Sequence, residues 1–383
     1  MAAVEHYRRN WVTVFGATLA IMVGVAIWLS LRIPSLRDPA FDFDAMKPGE
    51  IFNVYGLTRR QEGSVKLGFA EAYPAPEIGL YGNHIVAYFG ADAFERPESA
   101  EYFFNYSYAN LSLPEIHRYL LRVEQTGHLP KKLILVQITP PNADNGRFII
   151  NLGNELPPAV LLSTIGARDK LSTEPLTIAA AAWELADNWL HEVLNYNTFI
   201  LSIVQSGNFA DRTVSPSTCH DETSTWLGHM PGKLLMAIGA SVRSRLFCLR
   251  WSQRGAIRPD GSTFWQSDET LIVQNEDPLR ESERGLRAGD ELEIARQMRA
   301  IRAIGARHGI KTVFIVPPVY ETDRHDSIVN QIFSRALALV PDIAVIDHRN
   351  MGGNPSLFRS GIHPSPPYYR LVVDELRRRG FIE

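Results

Sequence analysis

The chain has 383 residues and a formal net charge of -3 at pH 7. Hydrophobic residues make up 45% of it and charged residues 21%, which is the balance of an ordinary globular protein with a sizeable core. The small negative charge argues against a nucleic-acid surface, because such surfaces need dense clusters of Lys and Arg. The length allows one large α/β domain or two ordinary ones.

A run without charged residues lies at residues 11–31. As an α-helix with a rise of about 1.5 Å per residue, it would span a hydrocarbon core of about 30 Å. Trp11 and Trp28 lie near its ends, where indole rings favour the membrane interface. A cleaved signal peptide is the alternative, but the run is long for one and no small-x-small cleavage site follows it. We therefore predict a cytoplasmic tail and a single-pass transmembrane helix over residues 1–35.

The orientation of this anchor follows from weaker signals. Arg8 and Arg9 precede the span and two further arginines closely follow it, so the basic residues are nearly balanced. Short N-terminal tails usually stay in the cytoplasm. We therefore expect residues 36–383 to form a domain on the extracytoplasmic, periplasmic side of the inner (plasma) membrane.

Cys219 and Cys248 are the only cysteines. They could form one disulfide on the extracytoplasmic side, or they could be two core thiols. Neither arrangement makes a metal site, because adjacent residues such as Cys219 and His220 rarely chelate one ion. The sequence also lacks a Gly-x-Gly-x-x-Gly segment, a P-loop and a His-Glu-x-x-His segment. It therefore predicts no cofactor and no metal.

The first part of the predicted domain alternates strands and helices. We interpret residues 32–76 as a polar linker with one short strand at 51–55. A strand at 78–81 is followed by Gly82, and the polar pair Asn83-His84 then begins a helix. An aromatic run at 102–108 is typical of a short strand or a packed loop. A helix at 113–124 and a continuous apolar strand at 133–138 follow, which predicts a right-handed crossover and a parallel sheet.

The middle of the chain interrupts this alternation. Residues 157–210 and 231–250 look helical, and Pro259-Asp-Gly261 has the composition of a hairpin turn. We interpret residues of about 143–285 as a largely helical insertion or lid.

The alternation returns near residue 289 and continues to the end of the chain. The predicted elements are a helix at 291–308, a strand at 311–316, a helix at 326–339, a strand at 343–346 and a helix at 367–379. The predicted fold is therefore α/β, with a parallel sheet between helices in three α/β/α layers.

Polar residues follow the predicted strands in three places. Asn83 and His84 follow the first strand, Asn142 follows the third, and Ser360 to His363 precede the last helix. The carboxyl ends of parallel strands meet at one edge of a sheet, so we expect these places to converge.

The order of these motifs resembles the SGNH (GDSL-type) hydrolase superfamily. It is most similar to a membrane-anchored branch that includes the alginate O-acetyltransferase accessory proteins and the lipoteichoic-acid D-alanylation protein. The resemblance rests on EIGLYGNHIVAYF, on FFNYSYANLSLPEIHRYLL followed by KKLILVQITPPN, and on FRSGIHPSPPYYRLVVDEL. It covers about residues 75–142 and 287–383. It implies a flavodoxin-like sheet and acyl-ester chemistry on envelope polysaccharide, often beside a multi-spanning O-acyltransferase.

The resemblance also implies roles for individual residues. His84 stands where the family has its serine nucleophile, and His363 stands at the position of the general base. Ser360 stands where an aspartate would orient that base. Serine acyl transfer needs a hydroxyl near an imidazole that a carboxylate orients, so losing both groups lowers the rate by orders of magnitude.

Four further residues correspond to the family's substrate-binding or oxyanion positions. They are Gly82, Asn83, Asn110 and Asn142, of which Asn110 replaces a glycine. Asn83 and Asn142 are as typical of turns as of oxyanion donors. His84 has a structural interpretation too, as a residue that opens a helix, and a ligand-binding one.

Two hypotheses follow. The favoured one is a catalytically silent, SGNH-like binding or scaffold subunit of an envelope or membrane complex. The other is an active esterase or O-acyltransferase that uses His363 with an unconventional partner. The expected partners are the membrane, a multi-spanning membrane protein such as an O-acyltransferase, and an envelope polysaccharide.

Overall fold

The computed structural model describes residues 14, 17–18, 51–53, 59–96, 99–108, 111–138, 160, 213–214, 256–264, 289–318, 328–359 and 363–383. The predicted anchor at 11–31 lies outside these residues except at positions 14, 17 and 18, and both cysteines lie outside them. Within the described ranges, no helix combines the length and the apolar character that crossing a bilayer would require.

Most of the predicted strands and helices are present in the described residues. The strands are β1 Ile51–Asn53, β2 Ile78–Tyr81, β3 Phe103–Asn105, β4 Leu133–Gln137, β5 Thr213–Val214, β6 Ala256–Ile257, β7 Thr263–Phe264, β8 Lys311–Val316 and β9 Ala344–Asp347. The α-helices are α1 Arg59–Ala72, α2 Leu113–Gln125, α3 Asp290–Arg307, α4 Ile328–Ala338 and α5 Pro366–Arg378. Short 3-10 helices lie at His84–Val86, Ala91–Phe94, Arg349–Met351 and Pro355–Leu357.

Five strands form one parallel sheet in the order β3-β2-β4-β8-β9. The predicted α/β fold with a parallel sheet is therefore confirmed. Strand β2 comes first along the chain but lies between β3 and β4 in the sheet. The chain therefore changes its winding direction at β2. Ligands of such sheets bind beyond the carboxyl ends of the strands at this change of direction.

Apolar side chains alternate along the central strands and bury both faces of the sheet. Ile134 of β4 belongs to a core cluster that includes residues of α1, α2, α3 and α4. Leu133 and Leu135 point into a second cluster, which includes residues of α5 and the 3-10 helix after β2. Strands buried on both faces read as continuous apolar runs, which is why the sequence predicted them well.

One element corrects the sequence analysis. Helix α1 lies within residues 32–76, which we interpreted as a polar linker. Gly63 and the charged Lys66 weaken its apolar stripe, yet Val65, Lys66 and Phe69 are all fully buried. A Cβ at Gly63 would lie 2.7 Å from Cζ of the Tyr108 ring. Tertiary packing against the sheet therefore stabilises a helix that local propensity does not predict.

A second, antiparallel sheet has the order β5-β1-β6-β7. Its β6–β7 hairpin turns at Pro259-Asp-Gly261, as predicted, and Gly261 has a φ of +74°. The backbone carbonyl of Asp260 accepts a hydrogen bond from the Asn105 N–H at 2.8 Å. This part of the predicted insertion therefore packs against the end of β3 in the main sheet. Most of residues 143–285 lies outside the described ranges.

Candidate functional site

The turn after β2 is built by close contact with β4. A Cβ on Gly82 would lie 2.6 Å from Oε1 of Gln137 and 2.7 Å from Cγ2 of Val86, so only glycine fits there. The next backbone N–H, that of Asn83, donates to Oε1 of Gln137 at 2.8 Å. This hydrogen bond joins the carboxyl ends of β2 and β4 at the change of winding direction.

Asn83 caps the helix that follows the turn. Its Oδ1 accepts a hydrogen bond from the Ile85 N–H at 2.9 Å. That helix is a single 3-10 turn, His84–Val86, and is shorter than the helix predicted at this position. The backbone N–H and the side-chain oxygen of Asn83 are both engaged in holding the turn.

Asn105, at the end of β3, holds the same turn from the neighbouring strand. Its Nδ2 donates to the carbonyls of Val86, Ala87 and Phe89 at 2.8, 3.2 and 2.9 Å. Its Oδ1 accepts from the Ser107 N–H at 2.8 Å. Asn105 is fully buried, so these hydrogen bonds take the place of the ones that its amide would make with water in the unfolded chain.

His84 and His363 lie together, as the sequence predicted. Their ring centroids are 5.2 Å apart with an interplanar angle of 61°, an edge-to-face contact. Burial, and to a smaller extent the like charge of a protonated His84, lower the pKa of His363 to about 4. His363 is therefore a neutral imidazole at pH 7. Ser360, Asn110 and Asn142 lie outside the described residues.

Two residues beside this pair were not predicted from the sequence. The Tyr88 ring centroid lies 5.8 Å from that of His363. Cζ of Arg359 lies 5.8 Å from the Tyr88 centroid, and the Arg359 backbone N–H donates to the His363 carbonyl at 2.8 Å. The available signal was spacing alone: Tyr88 follows His84, and Arg359 precedes His363, by four positions.

Burial raises the pKa of Tyr88 to about 12. The Arg359 guanidinium opposes this rise, and Glu62 of α1 adds to it by a smaller effect than that of Arg359. Tyr88 is therefore a protonated phenol at neutral pH. Neutral imidazole and phenol groups can bind a polar ligand or transfer protons, but a protonated phenol is a weak nucleophile.

A buried lysine lies near the turn. Lys66 is fully buried, and its Nζ donates to the Ser107 carbonyl. Burial lowers the pKa of Lys66 to about 8, while Glu62 and Asp260 oppose this effect. Asp260 in turn accepts from the Ala91 N–H at 2.8 Å through Oδ2. Lys66, Asn105 and Asp260, defined here as the anchoring cluster, position the loop that carries His84 and Tyr88.

Comparison with known proteins assigns no family. No protein-family model matches this chain, and no curated protein matches it.

Proposed function

We propose that this chain is a membrane-anchored, extracytoplasmic SGNH-like protein that binds a ligand at the His84–His363 pair without cleaving it. It would then act as a binding or scaffold subunit of an envelope or membrane complex. The strand order β3-β2-β4-β8-β9 supports a flavodoxin-like α/β/α fold. Numbered along the chain within this sheet, the strands lie in the order 2-1-3-4-5, as in flavodoxin-like sheets.

One observation carries this proposal. His84 lies three residues after the end of β2, where the resemblance expects a serine nucleophile, and its ring contacts that of His363. A covalent acyl transfer needs a hydroxyl or thiol within reach of the basic imidazole. An imidazole at that position provides no such group, while Tyr88 stays protonated at neutral pH.

The location and the partners are part of the same proposal. The uncharged run at 11–31 supports a single-pass anchor in the inner membrane. The resemblance supports a complex with a multi-spanning membrane protein, such as an O-acyltransferase, and an envelope polysaccharide as the ligand.

A hydrolysis assay tests the proposed silence of the site. We expect p-nitrophenyl acetate to be hydrolysed at the same near-background rate by the wild type, by His363→Ala and by His308→Ala. His308 is a matched control, because it lies at the surface and its Nε2 is 2.7 Å from Glu124. A wild-type rate well above background that only His363→Ala abolishes would instead support the esterase or O-acyltransferase hypothesis.

Fractionation tests the anchor separately. Deleting residues 1–32 is expected to release the chain from membranes. A deletion variant that still sediments with membranes would contradict the predicted anchor. Residues 231–250 would then be the next candidate for membrane attachment.

A further inference from the structure

Among the described residues, no carboxylate forms an ion pair with Arg359. Several other arginines are paired: Nη2 of Arg307 lies 2.8 Å from Oε2 of Glu124, and Nη2 of Arg349 lies 2.7 Å from Oδ2 of Asp347. Arg359 is half-buried. Its Nη1 atom is buried and has no hydrogen-bond acceptor in the described part of the chain.

A buried donor that lacks an acceptor destabilises a fold by about 1–3 kcal/mol, and by more when the donor is charged. The residues that immediately follow, 360–362, are Ser, Gly and Ile, and none of them carries a carboxylate. The Nη1 donor of Arg359 is therefore enclosed without an acceptor, and the described residues supply no anion to the guanidinium. A ligand group that accepts hydrogen bonds would remove this penalty.

The groups next to Arg359 are two rings and one carboxylate. Tyr88 lies against the guanidinium and His363 lies against Tyr88, so the cation borders groups that are uncharged at neutral pH. Glu62 is the opposing charge. Arg359 lowers the pKa of the Tyr88 hydroxyl by more than Glu62 raises it. Taken together, these two charges therefore favour a negative charge at that hydroxyl.

We propose that Arg359, with Tyr88 and His363 beside it, binds an oxyanion of the ligand, either a carboxylate or a phosphate group. The planar guanidinium fork binds both groups through paired hydrogen bonds, which an ammonium group does not reproduce. The inference rests on the proposed binding function, because it names the ligand chemistry of the same site.

Calorimetric titration of the full-length chain in a neutral detergent tests this proposal. The probes are inorganic phosphate and sodium acetate at pH 7 and constant ionic strength. We expect saturable binding of at least one probe by the wild type. Phosphate binding alone would identify a phosphate-bearing ligand, and acetate binding alone would identify a carboxylate; either result supports the site.

Three variants assign the binding to the guanidinium. Arg359→Gln is expected to weaken the dissociation constant at least tenfold, and Arg359→Lys to give an intermediate value because it keeps the charge but loses the fork. Arg378→Gln is the control, because Arg378 pairs with Glu375 on the exposed side of α5, and its dissociation constant should remain within twofold of the wild type. Circular dichroism checks that each variant is folded.

Two results would overturn the site. Either the wild type binds neither probe, or Arg359→Gln and Arg359→Lys bind with wild-type affinity. Such a failure leaves the silent-site proposal intact, because ester hydrolysis is measured separately. Conversely, hydrolysis that depends on His363 would contradict the proposed function whether or not an oxyanion binds.

Discussion

Two polar clusters lie near the turn that follows β2, and they differ in where their hydrogen bonds go. In the anchoring cluster, the amide of Asn105 and the ammonium of Lys66 bond to backbone carbonyls of the chain itself. In the second cluster, the His363 ring contacts the rings of His84 and Tyr88, and Nη1 of Arg359 has no acceptor among the described residues. The first cluster holds a loop, and the second is the place where we propose that a ligand binds.

Asn105→Leu should have the largest effect on stability. It removes the donor to three buried carbonyls and the acceptor of the Ser107 N–H. The carbonyls of Val86 and Ala87 keep backbone donors, so the Phe89 carbonyl and the Ser107 N–H are the groups left without partners. Such buried groups cost about 1–3 kcal/mol each, so we expect a loss of about 4 kcal/mol in the free energy of unfolding. Urea denaturation of the full-length chain measures it.

Asn354→Ala provides the control for Asn105→Leu. Asn354 caps an exposed 3-10 helix through a bond from the Ser356 N–H, and losing such a cap costs about 1 kcal/mol. Equal losses from the two variants would show that Asn105 does not have the positioning role described here.

Lys66→Met tests the buried charge of the anchoring cluster by its pH dependence. The pKa of Lys66 is lowered from 10.5 to about 8, so between these pH values the unfolded chain keeps a proton that the folded chain has released. The free energy of unfolding therefore rises with pH across this window, by about 3 kcal/mol from this group. The free energy of unfolding of the wild type, measured by urea denaturation relative to that of Lys66→Met, should show that rise.

Lys131→Met is the matched control, because Lys131 is exposed. It should follow the wild-type stability at every pH from 8 to 10.5. A Lys66→Met variant that also follows the wild type over that window would mean that the lysine is not buried as a charged group.

Arg359→Met should have the smallest effect on stability, and one of opposite sign. It replaces a half-buried guanidinium by an apolar side chain and removes a donor without an acceptor. We expect a gain of about 1 kcal/mol in the free energy of unfolding together with the loss of oxyanion binding, as is common for residues kept for function. A destabilised variant in urea denaturation would place Arg359 with the anchoring residues instead.

The sequence predicted the sheet and the convergence of His84 and His363 for general physical reasons. Continuous apolar runs identify buried strands, and parallel strands bring their carboxyl ends to one edge. Helix α1 escaped prediction because Lys66 interrupts its apolar stripe, and only packing explains a buried ammonium. Asn105 looks like an ordinary polar residue in an aromatic run, and Arg359 like an ordinary surface cation. Their roles depend on which backbone groups and rings the fold brings beside them.

In the proposed binding function, no activated nucleophile serves the His84–His363 pair. A fluorophosphonate labels activated serines covalently, so treating the full-length chain with it and measuring the intact mass tests this proposal. We expect an unmodified chain. A stoichiometric adduct, at Ser360 or elsewhere, that disappears in His363→Ala would contradict it and would make the protein a serine-dependent acyl-transfer enzyme.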